Sequence, residues 1–300
     1  MVKTWRSALS AFNRSAQRWD HIPHATQKLS LVSWNLNYLS QWPLTRTKLI
    51  LNHILEAPKF PDIIFLQEAT CETWPTILSD ERVRASFLVT DAKEEGQLTF
   101  RREFTTMTLL NRATFTNSSR KLQRDVNGTE GVEKFRLGSS QRVLLPCDDD
   151  RDALCLDIIP PLSPGTMYRL INVHLDQNDC TIYRSMQLKL LADLIREPGC
   201  SGGLIAGDYS ANTEEDEWLI YENHMVDVWH DLYGRDDPSG ATFRVGFENP
   251  SRFDKVATLG VNADKLEVLR PGFVAVTRMG DFPLEIPWSN HCGLRCTFTI

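Results

Sequence analysis

Polar residues follow apolar runs at five places in this chain, and each could supply a group for acid–base or metal chemistry. The segments are SWNLN (33–37), LQE (66–68), NVHLD (172–176), GDYS (207–210) and SNHCGL (289–294). Carboxylate and amide oxygens bind hard cations, while imidazoles and carboxylates move protons. Because ligand sites of layered α/β proteins form at strand ends, the five segments together predict one shared site.

Short apolar or alternating runs predict the strands that would position these residues. The predicted strands cover residues 29–34, 62–66, 105–110, 153–158, 167–173 and 203–206. Helical spacing of apolar residues predicts helices over residues 44–55 and 184–195. Residues 118–138 are polar and irregular, which predicts an exposed loop. With no repeat and no linker, the sequence predicts a loosely ordered leader over residues 1–28 and one layered domain over residues 29–300.

Composition and charge narrow the classes of protein. The chain has 300 residues, of which 42% are hydrophobic and 24% charged, as in an ordinary globular protein. It lacks an apolar stretch long enough to span a membrane and the apolar segment of a secretory signal. Its 7 cysteines are odd in number and never spaced as CxxC, which argues against disulfides and structural zinc. We expect a monomer, and the cysteine usage predicts a reducing, intracellular location, cytoplasmic or nuclear.

The net charge of −6 bears on the binding partner. Non-specific nucleic-acid binding draws most of its affinity from lysine and arginine contacts to phosphates. Arg101-Arg102 is an adjacent basic pair in the middle of the chain, and an exposed loop would explain it equally well. Extended nucleic acid therefore stays open as a substrate, but the charge favours a smaller phosphate ester.

The order of the motifs is more specific than any one of them. The series WN, LQE, HL, GD, RFD and S-x-H-x-G-L, together with EFTTMTLLNRATF (103–115), VDVWHDL (226–232) and SRFDKV (251–256), resembles the DNase I-like endonuclease/exonuclease/phosphatase superfamily. The resemblance runs from about residue 31 to residue 300. It implies a four-layer α/β sandwich in which two mixed β-sheets are flanked by helices. Members cleave inositol phosphates, sphingomyelin, nucleotides and RNA, so the substrate stays open.

The resemblance also implies roles for individual residues. Asn35 and Glu68 would hold Mg²⁺, with Mn²⁺ as the alternative ion, and Asn35 would also contact the substrate. Asp208 would position or deprotonate the attacking water, and His291 would donate a hydrogen bond to the phosphoryl oxygen. His174 matches a second imidazole on the phosphate side.

Three further residues match positions outside the central set. Arg184 and Arg252 resemble the superfamily's structural or substrate-side arginines, and we assign them to substrate binding. For Arg184, an ion pair that only stabilises its helix is an equal alternative. Asp254, the carboxylate of the RFD motif, would support the placement of His291 without taking part in the chemistry.

Two positions depart from the superfamily pattern and leave the function open. Ser210 stands where the pattern has Asn, and its hydroxyl reaches less far than an amide. Asn290 stands where the pattern has Asp; its side chain could accept a hydrogen bond from His291 but could not stabilise the protonated imidazole. Three functions remain: a Mg²⁺-dependent phosphodiesterase or phosphatase, which we rank first, a redirected enzyme performing acid–base chemistry on a small metabolite, and a binding protein without turnover.

Overall fold

A computed structural model describes residues 10–13, 18–21, 27–56, 58–92, 103–117, 134–147, 151–177, 181–246, 249–276 and 284–300. The pair Arg101-Arg102, Cys180 and residues 118–133 of the predicted loop lie outside these ranges. Within them, no helix is long and apolar enough to cross a membrane.

In the described backbone, β-strands take up more residues than helices do. The strands are β1 (Ser10–Asn13), β2 (Arg18–His21), β3 (Lys28–Asn35), β4 (Ile63–Ala69), β5 (Phe87–Val89), β6 (Thr105–Asn111), β7 (Phe115–Thr116), β8 (Phe135–Leu144), β9 (Asp152–Ile159), β10 (Met167–His174), β11 (Cys200–Asp208), β12 (Val226–Asp227), β13 (Asp254–Leu259), β14 (Asn262–Leu269), β15 (Phe273–Val276), β16 (Leu284–Pro287) and β17 (Gly293–Thr299). All six predicted strands are present and run one or more residues beyond a predicted end, although β4 begins one residue later than predicted.

In the described ranges, six α-helices lie between these strands, with 3₁₀ turns at Glu215–Glu217 and Pro238–Gly240. The helices are α1 (Pro43–Leu55), α2 (Thr73–Ser79), α3 (Glu81–Ser86), α4 (Thr181–Ile195), α5 (Leu219–Glu222) and α6 (Val228–Tyr233). Both predicted helices are present as α1 and α4. Proline at the first helical position starts α1, because its fixed φ suits a helix and its missing N–H would have no helical partner there.

Two large mixed sheets form the body of the domain. One has 7 strands in the order β12-β13-β11-β10-β9-β8-β7, and the other has 6 in the order β14-β17-β3-β4-β6-β5. Each combines parallel with antiparallel neighbours: β10 runs parallel to β11 and β3 parallel to β4, while most other neighbours are antiparallel. Two further two-stranded sheets pair β1 with β2 and β15 with β16.

Apolar side chains fill three layers between these elements. One cluster, which includes Phe65, Leu170 and Phe298, joins the two sheets face to face. A second packs α4 on the outer face of the seven-stranded sheet, and a third packs α1 and α2 on the outer face of the six-stranded sheet. Helices, sheet, sheet and helices therefore form the four layers that the sequence analysis predicted.

Two features near the chain start and in its middle were not predicted. Residues 10–13 and 18–21 pair as an antiparallel hairpin inside the predicted leader; the domain boundaries themselves stay a prediction. Residues 135–138, assigned to an exposed loop from their polarity, begin strand β8. Phe135 explains the difference, because it is buried and its ring packs 5.7 Å from that of Phe115.

Candidate active site

Four of the predicted site residues surround the buried carboxylate of a fifth, Asp208. Its Oδ2 accepts a hydrogen bond from Asn35 Nδ2 at 2.9 Å and lies 3.4 Å from His174 Nε2 and 3.7 Å from His291 Nε2. Glu68 Oε1 accepts from the same Asn35 amide at 3.1 Å and lies 3.8 Å from His174 Nε2. None of the five is more than 5% exposed. The structure thus brings residues from five separate segments into one group.

The ends of the strands place this group. His174 and Asp208 are the paired last residues of β10 and β11 in one sheet, while Asn35 ends β3 in the other. Glu68 lies one residue before the end of β4, and His291 comes from the turn before β17. The site therefore forms where the strand ends of two packed sheets meet, which is why its residues are so far apart in sequence.

A β-bulge directs Glu68 into the site. The register between β4 and β6 shifts between Leu66 and Ala69, and Glu68 has a φ of 59°. Such left-handed backbone costs an ordinary residue roughly 1–2 kcal/mol, and backbone strain of this kind is typical of functional sites. The carboxylate is held by the amide of Tyr38, which donates to Oε2 at 2.7 Å. The bulge and this bond together set the position of Glu68.

His291 lies between two carboxylates. Its Nδ1 is 2.8 Å from Asp254 Oδ2, and its Nε2 faces Asp208. Burial opposes the charged imidazole, but Asp254 and then Asp208 outweigh it and raise the pKa of His291 to about 9. The imidazole is therefore protonated at neutral pH and can donate a proton or a hydrogen bond. Asp254 supports the placement of His291, as expected from the RFD motif.

Burial shifts the pKa values of Asp208 and His174 in opposite directions, and both shifts favour the neutral form. Burial raises the pKa of Asp208 to about 6, although nearby His291 opposes the shift. Burial also holds the pKa of His174 well below its usual range, and the charge of Arg151 adds to this effect. A carboxylate poised near neutral pH suits a general base, because it is mostly ionised yet can accept a proton.

Ser210 binds the Asp208 carboxylate at Oδ1, the oxygen that does not face Asn35 and the two histidines. Its backbone N–H and its hydroxyl donate to Asp208 Oδ1 at 2.7 and 3.2 Å. The residue is buried and its φ is 48°, a left-handed conformation that Asn adopts more readily than Ser. The short hydroxyl thus stays with Asp208, in agreement with its expected limited reach.

Asn290 lies outside the group. Its side chain is exposed, and its backbone carbonyl accepts from Arg244 N at 3.1 Å. The hydrogen bond expected between His291 and the Asn290 side chain is instead made with Asp254. The physical reason is that β13 pairs with β11 and so places Asp254 opposite Asp208, beside the imidazole. The charge that stabilises protonated His291 therefore does not depend on position 290.

Both arginines assigned to substrate binding are held in ion pairs. Arg184 is fully buried, and its Nε and Nη2 donate to the Asp216 carboxylate at 2.8 and 2.7 Å. Arg252 Nη1 and Nη2 donate to the Asp227 carboxylate at 2.8 and 2.6 Å. Such two-point pairs are strong and geometrically specific. For Arg184 this is the ion pair that the sequence analysis gave as the equal alternative, and the assignment of both arginines to substrate binding stays a prediction.

Arg151, which the sequence analysis missed, lies beside the site. Its side chain is buried, with the guanidinium 4.8 Å from the ring centroid of Phe104, and Phe104 stacks on His174 at 5.3 Å. Its Nε and Nη1 have no hydrogen-bond partner among the described residues. Buried donors without partners are costly, so this guanidinium suits an anionic ligand. A lone arginine before a strand carries no pattern that would have identified it.

A pair of buried amides joins the two sheets beneath the site. Gln67 Nε2 donates to Asn172 Oδ1 at 2.8 Å and to Ser33 Oγ at 3.1 Å. Asn172 Nδ2 donates in turn to the carbonyls of Met107 at 2.9 Å and Leu66 at 3.3 Å. Gln67 precedes Glu68, and Asn172 lies two residues before His174. The pair therefore sets how the metal-side carboxylate and the imidazole face each other.

The acidic groups suit a divalent cation. Single ligand atoms of Glu68, His174 and Asp208 lie within 4.8 Å of one another, and so do those of Asp208, Asp254 and His291. Hard cations such as Mg²⁺ prefer oxygen ligands, and the three carboxylates are all buried here. A bound cation would offset the cost of burying these negative charges close together.

Asn35 fits the metal role only with its amide turned. Its Oδ1, the atom that a cation would need, accepts from Asn37 N at 2.8 Å, while its Nδ2 faces Glu68 and Asp208. In this arrangement the NH₂ group occupies the place between the carboxylates. Rotation of the amide would exchange donor for acceptor there.

The two mixed sheets flanked by helices define the DNase I-like fold of the endonuclease/exonuclease/phosphatase proteins. No protein-family model matches the chain, and no curated protein matches it in sequence.

Among solved structures, and in its motifs, the chain is similar to tyrosyl-DNA phosphodiesterase 2 (TDP2). D. rerio TDP2 humanized by 14 mutations shares 19% identity over 90% of this chain and 98% of that one, with a TM-score of 0.65. D. rerio TDP2 complexed with a single-strand DNA product shares 19% identity over 90% of this chain and 98% of that one, with a TM-score of 0.63. The human Nocturnin catalytic domain with bound sulfate shares 17% identity over 90% of this chain and 93% of that one, with a TM-score of 0.59. At these identities the likeness shows the fold.

Proposed function

We propose that this chain is a hydrolase of phosphate esters that depends on Mg²⁺ or Mn²⁺. The observation that carries the proposal is the buried Asp208 carboxylate, which Asn35, His174 and His291 surround at hydrogen-bonding or ion-pair distances. A general base, a protonated imidazole and a group of carboxylates thus share one site. This is the combination that hydrolysis of a phosphodiester requires.

Two groups of the protein have separate roles at the phosphate, one towards the attacking water and one towards the phosphoryl oxygen. Asp208 accepts a proton from the water that attacks phosphorus. His291, whose Nε2 lies 3.7 Å from that carboxylate, donates a hydrogen bond to the phosphoryl oxygen on which negative charge develops. Asp254 holds the imidazole in orientation through Nδ1.

Arg151 supplies a further anion-binding group in this proposal. Its Nε and Nη1, which have no hydrogen-bond partner among the described residues, can donate to a phosphate oxygen, and the planar guanidinium matches the geometry of that anion. Neutral His174 adds an imidazole on the same side. These contacts would bind the ester and orient it towards the base.

Glu68 would hold the cation, together with Asn35 once its amide is turned. When bound, the ion would neutralise charge on the phosphate and on the leaving oxygen. The TDP2 and Nocturnin structures contain a single-strand DNA product and a sulfate, one a phosphodiester and the other a phosphate-like anion. They support a phosphate ester as the ligand class without specifying its size.

The first prediction concerns the cation. With a generic aryl phosphodiester, the purified protein should release phenolate in Mg²⁺ or Mn²⁺ and lose this activity in EDTA. Glu68→Ala should lower the rate on the order of a hundredfold or more, because the carboxylate that faces the cation is removed. The measurement is a spectrophotometric rate for each protein in each buffer.

Glu56→Ala is the matched control, because Glu56 is an exposed glutamate at the end of α1 and should tolerate the change. Undiminished hydrolysis in EDTA would contradict the proposal. In that case acid–base chemistry on a small metabolite would become the leading function. Binding of the ester without any turnover would instead favour a non-catalytic role.

A further inference from the structure

Arg46 is a buried arginine of α1 that no part of the proposed chemistry uses. Its side chain is 1% exposed. Every N–H of an arginine side chain can donate, and here the guanidinium makes five hydrogen bonds, all to backbone carbonyls. They run from Nε to Gln41 O at 2.7 Å, from Nη1 to Leu36 O at 2.9 Å and Trp288 O at 2.5 Å, and from Nη2 to Asn37 O at 2.6 Å and Ser40 O at 3.1 Å.

The absence of a carboxylate among these acceptors is unusual for a buried cation. Arg169, Arg184 and Arg252 each donate to at least one carboxylate. Burial lowers the pKa of Arg46 to about 10, with Glu68 opposing the shift, so the group is still protonated at neutral pH. Burying a charge without an ion pair is expensive. The carbonyl bonds must therefore hold a backbone arrangement that the chain would not otherwise keep.

The carbonyls belong to the two segments that carry opposite ends of the site. The segment from Leu36 to Gln41 follows Asn35, and within it Tyr38 N donates to Glu68 Oε2 at 2.7 Å. Trp288 precedes Ser289, whose Oγ donates to Asn35 O at 2.8 Å and accepts from His291 N at 3.0 Å. One guanidinium thus ties the Glu68 side of the site to the His291 side.

We propose that Arg46 is a positioning residue that sets the cation affinity of the site by fixing the loop after β3 and the turn before His291. This inference rests on the proposed function, since it requires that Glu68 face a cation. It goes further because Arg46, which contacts neither substrate nor cation, would determine how tightly the cation binds.

Electrostatics and positioning make opposite predictions for the loss of Arg46. A positive charge close to Glu68 repels a cation, so its removal alone would strengthen cation binding. Displacement of Tyr38 and with it the Glu68 carboxylate would weaken binding, as the loss of outer supporting groups does for metal ligands. The sign of the change therefore separates the two effects.

The test measures Mn²⁺ affinity of the whole chain by calorimetry, without any substrate. We expect Arg46→Met to raise the Kd for Mn²⁺ on the order of tenfold or more, the range found for outer supporting residues. Arg46→Lys keeps the charge but replaces the planar guanidinium and its five N–H donors with a single ammonium group. It should therefore raise the Kd as well. If the Met variant does not fold, the Lys variant carries the test.

Arg169→Met is the matched control. Arg169 is equally a buried arginine, but it pairs with Asp157 and Glu197 away from the site. It should lose stability in urea and keep the wild-type Kd. Arg46 variants that bind Mn²⁺ as tightly as wild type, or more tightly, would overturn the positioning role alone. A wild-type protein that binds no Mn²⁺ would overturn the proposed function and this inference with it.

Discussion

At the scale of single residues, the departure at Ser210 has two separable consequences. Its φ of 48° favours Asn or Gly over Ser, and its hydroxyl bonds to Asp208 instead of reaching outward. Left-handed backbone costs most residues roughly 1–2 kcal/mol and Asn less. The backbone effect acts on stability, whereas the side-chain effect acts on the reaction.

We predict that Ser210→Asn raises kcat for an aryl phosphodiester, on the order of a hundredfold if the amide reaches the water or the phosphate. It should also raise the free energy of unfolding by about 1 kcal/mol. Ser210→Gly separates the two effects, because it tolerates the backbone conformation without restoring an amide. Equal rates for the Asn and Gly variants would show that position 210 does not contact the reacting groups. Rates and urea unfolding of the three proteins are the measurements.

Residue type and strand-end position indicated each member of the central group only weakly, and the order of the motifs along the chain made the set specific. These signals were not enough for Asn290, whose place beside His291 is taken by Asp254 from a neighbouring strand. Arg151 was missed for a related reason. Its function depends on what lies around it in space, and nothing in the surrounding sequence reports that.

At the scale of elements, strand β4 with its bulge is the part of the fold that the site depends on most. The sequence predicted the strand from DIIFL, but the shift in register that turns Glu68 inward has no local sequence signal. Gln67, inside the bulge, donates its side-chain amide to Asn172 of the opposite sheet, and this bond holds the bulge. Register is a property of the pairing between strands, so it could not be predicted from one strand alone.

We predict that Gln67 and Asn172 are energetically coupled. Asn172→Leu and Gln67→Leu should each destabilise the protein by about 1–3 kcal/mol, because each leaves buried polar groups of the other without a partner. The double variant should lose less than the sum, with a coupling of about 0.5–3 kcal/mol. Urea unfolding of the four proteins measures this cycle.

Asn172→Leu combined with Phe298→Leu is the control cycle, since Phe298 lies near the opposite end of β17 from the site. Distant changes should add within a few tenths of a kcal/mol. Additivity in both cycles would mean that the two amides do not support each other, and that the bulge is held by its own strand pairing.

At the scale of the whole molecule, the fold was the most predictable feature and the ligand the least. Ordered motifs spread over the chain indicate the four layers, because many separated segments must satisfy one topology. The ligand depends on the surface around the site, which no motif specifies. The single-strand DNA product in a TDP2 structure shows that this fold accommodates a nucleic acid, yet this chain carries a net charge of −6.

We predict that polymeric nucleic acid binds this chain weakly and with little dependence on salt. A protein that neutralises 6–10 phosphates loses about 10³–10⁵ in affinity between 50 and 200 mM salt, whereas one that contacts a single phosphate ester through Arg151 and His291 should lose less than about tenfold. Fluorescence anisotropy with a labelled single-stranded oligonucleotide measures how the affinity depends on salt. It uses the Glu68→Ala protein, which should not cleave the oligonucleotide.

The matched comparison is the salt dependence of kcat/KM for the small aryl ester with wild type. A steep slope for the oligonucleotide beside a flat one for the ester would reveal a basic groove outside the site. Nucleic acid would then replace the small ester as the expected substrate, despite the acidic net charge.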